Sequence, residues 1–109
     1  MYVIQILKHS PESCPLGRPE NLEDMKKWLE NIGTIAEKHG IKLAGVWTDR
    51  WGHTSWAVYE TPNMDTFAKF ELEPANLNIV TFNHIETRRV TSAKETLAFF
   101  KRHQQENTK

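Results

Sequence analysis

Tyr2 to His9 reads as an extended strand with both faces largely apolar, Tyr2, Ile4 and Ile6 on one and Val3, Gln5 and Leu7 on the other. A strand covered on both sides belongs in the middle of a layered domain. The run that follows, His9 to Pro19, holds three of the chain's five prolines. Proline cannot donate a ladder hydrogen bond and restricts the residue before it, so this stretch is expected to be a long loop. Leu22, Met25, Trp28, Leu29, Ile32, Ile35 and Ala36 then recur at three- and four-residue spacing. That is one apolar stripe of a helix, with Asn21 as expected N-cap and Gly40 as its stop.

Ile41 to Thr48 and Thr54 to Glu60 read as two strands joined by the turn residues Asp49-Arg50-Trp51-Gly52, hence a hairpin. Asn63 is placed to cap a short helix, Met64 to Leu72, which Pro74 is expected to end. A fourth strand is expected from about Asn78 to Val90. Ser92 and Glu95 have the spacing of a capping box for a last helix to about Gln105, with Leu97, Phe100, Ala93 and Thr96 as its inner stripe. Residues 104–109 are expected to be a frayed tail. The order β-α-β-β-α-β plus a C-terminal helix is the ferredoxin-like α+β arrangement, with a four-stranded antiparallel sheet. Its crossover helices cover one sheet face and leave the other, rich in large apolar residues, without a partner. Two copies pairing face to face would cover it, so a homodimer is expected.

Length and charge narrow the functions. With 109 residues there is room for one domain, spanning 1–109. Fourteen basic and fourteen acidic residues cancel, which gives no electrostatic reason to expect a nucleic acid or an anionic membrane as partner. The strand-like opening carries no basic leader, and no apolar run approaches a bilayer span, so a cytoplasmic location is the expectation. The single cysteine, Cys14, rules out an internal disulfide and a cysteine-only zinc site. The glycines are scattered singly, without a phosphate-binding loop, and no motif names a cofactor.

The pattern resembles the dimeric α+β barrel superfamily, in which two ferredoxin-like sheets pack into a barrel. More narrowly, His9-Ser10-Pro11-Glu12-Ser13-Cys14-Pro15 is similar to the opening of a family of short uncharacterised proteins of that fold. The superfamily includes small monooxygenases, haem-degrading enzymes, lactone isomerases and ligand-sensing domains, which share a cavity between sheet and helices. The resemblance therefore implies a pocket, while function must be argued from the site.

Three chemistries compete for that pocket. His9, His53 and His84 are candidate bases for a cofactor-independent oxygenation or isomerisation, since an unperturbed imidazole titrates near neutral pH. Trp47, Trp56 and Tyr59, with Gln5 and Asn83 as polar groups, could line a cavity for a small apolar or aromatic molecule; equally, Trp47, Trp51 and Trp56 can serve the hairpin itself as cross-strand pairs. The same pocket without a titrating histidine would make a ligand-sensing module. His9, Glu12 and Cys14 carry metal-ligating groups that suit a metal or haem site, completed by His53 or His84 from elsewhere in the fold. Against this, Ser10-Pro11-Glu12 can be a simple turn, and Cys14 a small residue anchoring the loop.

Overall fold

The computed structural model describes residues 1–107. The elements are β1 (Tyr2–Lys8), α1 (Pro19–Lys38), β2 (Lys42–Asp49), β3 (Thr54–Glu60), α2 (Met64–Glu71), α3 (Pro74–Val80), β4 (His84–Val90) and α4 (Ala93–Asn107). The strands form one antiparallel sheet in the order β2-β3-β1-β4, the ferredoxin-like topology. β1 lies at its centre, as its two apolar faces require.

The register sorts the side chains onto two faces. Val3, Gln5 and Leu7 of β1 stand beside Ser55, Ala57 and Tyr59 of β3, and all six are buried under the helices. Trp28, Ile32 and Ala36 of α1, Phe67 and Phe70 of α2 and Ile79 of α3 complete that core. Tyr59 meets Phe67 and Phe70 edge-on, with ring centroids 5.3 and 5.2 Å away. One polar chain joins the three helices inside it: the Trp28 indole donates to Asn76 Oδ1 at 2.9 Å, and Asn76 Nδ2 donates to the Phe70 carbonyl at 2.8 Å.

The other sheet face has no helix on it. Tyr2, Ile4 and Ile6 of β1 share it with Trp56 and Val58 of β3 and Trp47 of β2. The Trp47 ring lies over Gly45, where an added Cβ would come within 2.7 Å of it. Glycine at that position lets the indole lie flat on the sheet.

The structure departs from the sequence expectations at several elements. The first helix begins at Pro19, because proline at the first helical position is pre-organised for the turn. Asn21 instead ties the loop to the helix by donating to the Ser13 carbonyl at 2.9 Å. The loop itself contains two single 3₁₀ turns, Pro11–Ser13 and Pro15–Gly17. By the same proline rule, Pro74 starts α3 rather than merely ending α2, so residues expected in the fourth strand are helical and β4 begins only at His84. Asn83 closes α3, its Nδ2 donating to the Ile79 carbonyl at 3.0 Å.

The Ser92–Glu95 capping box forms, with reciprocal bonds of 3.1 Å. Yet α4 has no buried residue, and Leu97, Phe99 and Phe100 are all more than half exposed. The helix face of the sheet is already filled by α1, α2 and α3, so the stripe finds no seat within its own chain. The described chain is accordingly elongated, 62 × 31 × 17 Å. The expected frayed tail is helical to Asn107, and Thr108 and Lys109 lie outside the described residues. Among the described residues no helix is long and apolar enough to cross a membrane.

Gly40 ends α1 with φ +71°, in open space. The left-handed region costs a residue with a Cβ about 1–2 kcal/mol. Gly40→Ala is therefore expected to lower the unfolding free energy by about 1 kcal/mol or a little more. The urea midpoint measures it; no shift would mean that the turn relaxes.

Candidate functional site

His9 follows β1 directly, and His53 directly precedes β3. Because β1 and β3 are antiparallel neighbours with Lys8 opposite Thr54, the two histidines come together. The ladder reaches them: the His9 amide donates to the His53 carbonyl at 3.2 Å. Their rings meet nearly perpendicular, centroids 5.1 Å apart, with His9 Nε2 3.2 Å from His53 Nδ1.

His53 adopts φ +53°, the one residue other than glycine with positive φ among those described. This conformation is uncommon outside glycine, although histidine is among the residues that tolerate it. Here it belongs to a tight turn in which Asp49 Oδ1 accepts from the Gly52 amide at 3.0 Å. A Cβ at Gly52 would meet the Asp49 carboxylate, which would have to swing away and give up this bond.

The proline-rich loop supplies the third group. Cys14 sits between the two 3₁₀ turns as a half-buried free thiol. One donor atom each from His9, Cys14 and His53 lies within 4.8 Å of the other two. The loop is held over the strand ends by Asn21 and by Arg18, whose Nε donates to the Glu12 carbonyl at 2.8 Å.

These groups stand at one end of a cavity of about 190 Å³. Pro15 and Leu16 from the loop and Met25 and Leu29 from α1 form its apolar wall; Thr48, Asp49, Arg50 and Ser55 border the hairpin side. Partial burial holds the His9 imidazolium below the ordinary histidine range. A hydrogen bond from the ring to the Asn83 side chain opposes that shift, and the neighbouring His53 reinforces it. The net effect favours neutral His9, with a lone pair available to a proton, a ligand or a metal.

The candidates from sequence are thus divided by the fold. His9, Cys14 and His53 converge, with Asn83 beside His9. Glu12 is exposed and contributes only its carbonyl, through Arg18. His84 is exposed at the head of β4, opposite Lys8, and does not line this cavity. The aromatic wall expected from Trp47, Trp56 and Tyr59 is not found there: the two tryptophans lie on the open sheet face, and Tyr59 is wholly inside the core. Its hydroxyl has no hydrogen-bond partner among the described residues. Burial first, and the Glu71 carboxylate second, hold that phenol above its ordinary ionisation range.

Gln5 lines a different and smaller cavity, about 120 Å³, with Glu71 and Thr87. Its Nε2 donates to Glu71 Oε2 at 3.3 Å. Burial raises the Glu71 carboxyl above the usual carboxylate range, partly offset by that bond. Leu16, Met25 and Leu29 were missed as site residues. The signal was their continuity with the loop, because the N-terminal half of α1 must pack beneath the chain that leads into it.

No family model matches the sequence, and no curated protein matches it. Solved structures do. An uncharacterised NIPSNAP domain protein from Burkholderia xenovorans superposes with a TM-score of 0.55 at 17% identity, covering 85% of this chain and 96% of that one. An antibiotic biosynthesis monooxygenase gives 0.53 at 10% identity, over 84% and 98% of the two chains. A putative antibiotic biosynthesis monooxygenase from Deinococcus radiodurans gives 0.53 at 13%, over 85% and 95%. This chain has the ferredoxin-like α+β fold. Similarity at such identities establishes the fold alone, and chemistry rests on the residues described above.

Proposed function

We propose that the protein binds a small, mostly apolar molecule with one polar group, seated between the proline-rich loop and α1 with the polar group toward His9 and His53. The observation that carries this reading is the cavity of about 190 Å³ with an apolar wall and two imidazoles at one end. An engineered apolar cavity of about 150 Å³ accepts one benzene, so the occupant has the size of a single substituted ring. Few, convergent polar groups in an apolar pocket are the usual arrangement for such ligands.

The open sheet face supports a second part of the reading, a homodimer. Ile4, Ile6, Val58, Trp47 and Trp56 form a contiguous apolar surface, and two such faces packed together would build the barrel that the fold resemblance implies. Oxygenation or isomerisation without a cofactor is the reaction class suggested by the monooxygenases that share the fold. A base at His9 would serve such a reaction, and a sensor would use the same groups as hydrogen-bond anchors only.

Histidine side-chain NMR tests the binding site. Titration with single-ring phenols and carboxylic acids is expected to move the His9 and His53 imidazole resonances and to leave His103, on the distant α4, unchanged. Perturbation confined to residues around Gln5 and Glu71 would move the site to the smaller cavity. No perturbation by any of the compounds would count against the reading.

A further inference from the structure

We propose that His9, Cys14 and His53 form a binding site for a single transition-metal ion of the zinc or copper class, held by two imidazole nitrogens and one thiolate. The ion would stand at the polar end of the cavity, its remaining position facing the space bounded by Leu16, Met25 and Leu29. The inference rests on that cavity being the protein's working site.

The donors are already close to a coordination polyhedron. Metal–nitrogen bonds of about 2.0–2.1 Å at tetrahedral angles set nitrogens about 3.3 Å apart. His9 Nε2 and His53 Nδ1 are 3.2 Å apart. That is the long limit for a hydrogen bond between two rings and close to the edge expected for two ligands. A metal–sulfur bond of about 2.3 Å would put the thiolate about 3.6 Å from each nitrogen. One donor atom from each of the three residues lies within 4.8 Å of the other two, so closing the longest separation to the coordination distance takes a shift of about 1.2 Å.

Each donor is delivered by a separate constraint. The β1–β3 ladder sets the spacing of the two histidines, and the left-handed backbone at His53 turns its ring toward His9. The paired 3₁₀ turns carry Cys14. Asn83 stands beside His9 and can accept from its second ring N–H, the role an outer partner commonly plays for a metal-bound imidazole. The donor set is soft. Two imidazoles and a thiolate, with the Met25 thioether in the same cavity wall, suit zinc or copper and not magnesium or calcium. On binding, the Cys14 thiol releases its proton to solvent and the sulfur becomes the ligand, with no change of oxidation state.

Cobalt(II) is the probe, titrated into the reduced, metal-free full-length protein. One ion per chain is expected, with the intense visible bands of a tetrahedral site and a thiolate-to-cobalt charge-transfer band in the near ultraviolet. Cys14→Ser should abolish the charge-transfer band and weaken binding by more than the roughly 10–100-fold seen when an outer-shell partner is lost. His53→Gly should weaken it comparably while folding normally, because glycine takes φ +53° without strain. Stoichiometric displacement of cobalt by zinc would identify the zinc class; a strong thiolate-to-copper band on adding copper(II) would identify copper. No cobalt uptake, a weak octahedral spectrum, or identical titrations for wild type and Cys14→Ser would overturn the proposal.

Leu29→Trp separates this proposal from small-molecule binding. It should fill the apolar end of the cavity and block ring compounds, yet leave the cobalt spectrum intact. Cobalt binding by a wild-type protein that takes no ring compound would sink the ligand reading and sustain the metal site. Ring-compound binding without cobalt uptake would do the reverse.

Discussion

Asn76→Leu is expected to be among the most destabilising single substitutions in this domain, lowering the unfolding free energy by about 2–4 kcal/mol. Asn76 is buried, accepts from the Trp28 indole and donates to the Phe70 carbonyl. Leucine keeps the branched shape and heavy-atom count of asparagine, with two bulkier methyl groups in place of the amide oxygen and nitrogen, so the loss is chiefly polar. The Trp28 indole donor would be left unsatisfied at about 1–3 kcal/mol. The Phe70 carbonyl would lose its side-chain donor, worth about 0.5–1.5 kcal/mol, but would keep the Glu73 amide at 3.1 Å. Urea unfolding followed by far-ultraviolet circular dichroism measures the effect. An unchanged slope with a lower midpoint would show that native stability fell, and not the compactness of the unfolded state. Trp28→Phe orphans only Asn76 Oδ1 and trims the ring, so it should cost less than Trp28→Ala, for which about 3–5 kcal/mol is typical. A loss below about 1 kcal/mol for Asn76→Leu would mean that another group takes over the Trp28 indole.

Ile6→Glu is expected to leave the monomer fold intact and to abolish self-association. Ile6 sits near the centre of the open face, with Trp56 beside it on β3 and Glu86 on β4. In an isolated chain the new carboxylate points to solvent and costs little. In paired sheets it would be desolvated against apolar side chains, with Glu86 adding like charge, and an unpaired buried ion costs several kcal/mol. Each 1.4 kcal/mol is a tenfold change in dissociation constant, so association should weaken by at least about a thousandfold. Sedimentation equilibrium over a wide concentration range reads this directly. A wild-type protein that is monomeric throughout would sink the paired-sheet arrangement, and an undiminished Ile6→Glu dimer would move the interface elsewhere, α4 being the other exposed apolar surface.

Much of the fold was legible because it rests on periodicity. The two-faced apolar run of β1, the stripe of α1 and the turn residues between β2 and β3 each specify an element locally. Pro74 was not, because proline both stops one helix and starts another, and only tertiary contacts decide between the two. Asn76 and Ile79 lock the second outcome by entering the core. The stripe of α4 was legible as a stripe, but a stripe does not say whose surface it meets. Among the candidate site residues, the pairing of His9 with His53 was within reach of the topology: once β1 and β3 are adjacent and antiparallel, the end of one meets the start of the other. The position of Cys14 was not, since it depends on two 3₁₀ turns inside a loop with no periodic signal.

The four tryptophans occupy four different surroundings, and this gives the chain an internal optical reporter. Trp28 is fully buried with its indole N–H bonded, and Trp51 at the hairpin tip is 84% exposed beneath the Arg50 guanidinium. Neither environment would change on sheet pairing. Trp47 and Trp56, 58% and 37% exposed, lie on the face that pairing would dry. Dilution through a dimer dissociation constant should therefore shift the emission of those two indoles to longer wavelength, with no label attached. Loss of that shift in Trp47→Phe and Trp56→Phe together would assign the signal to the sheet face.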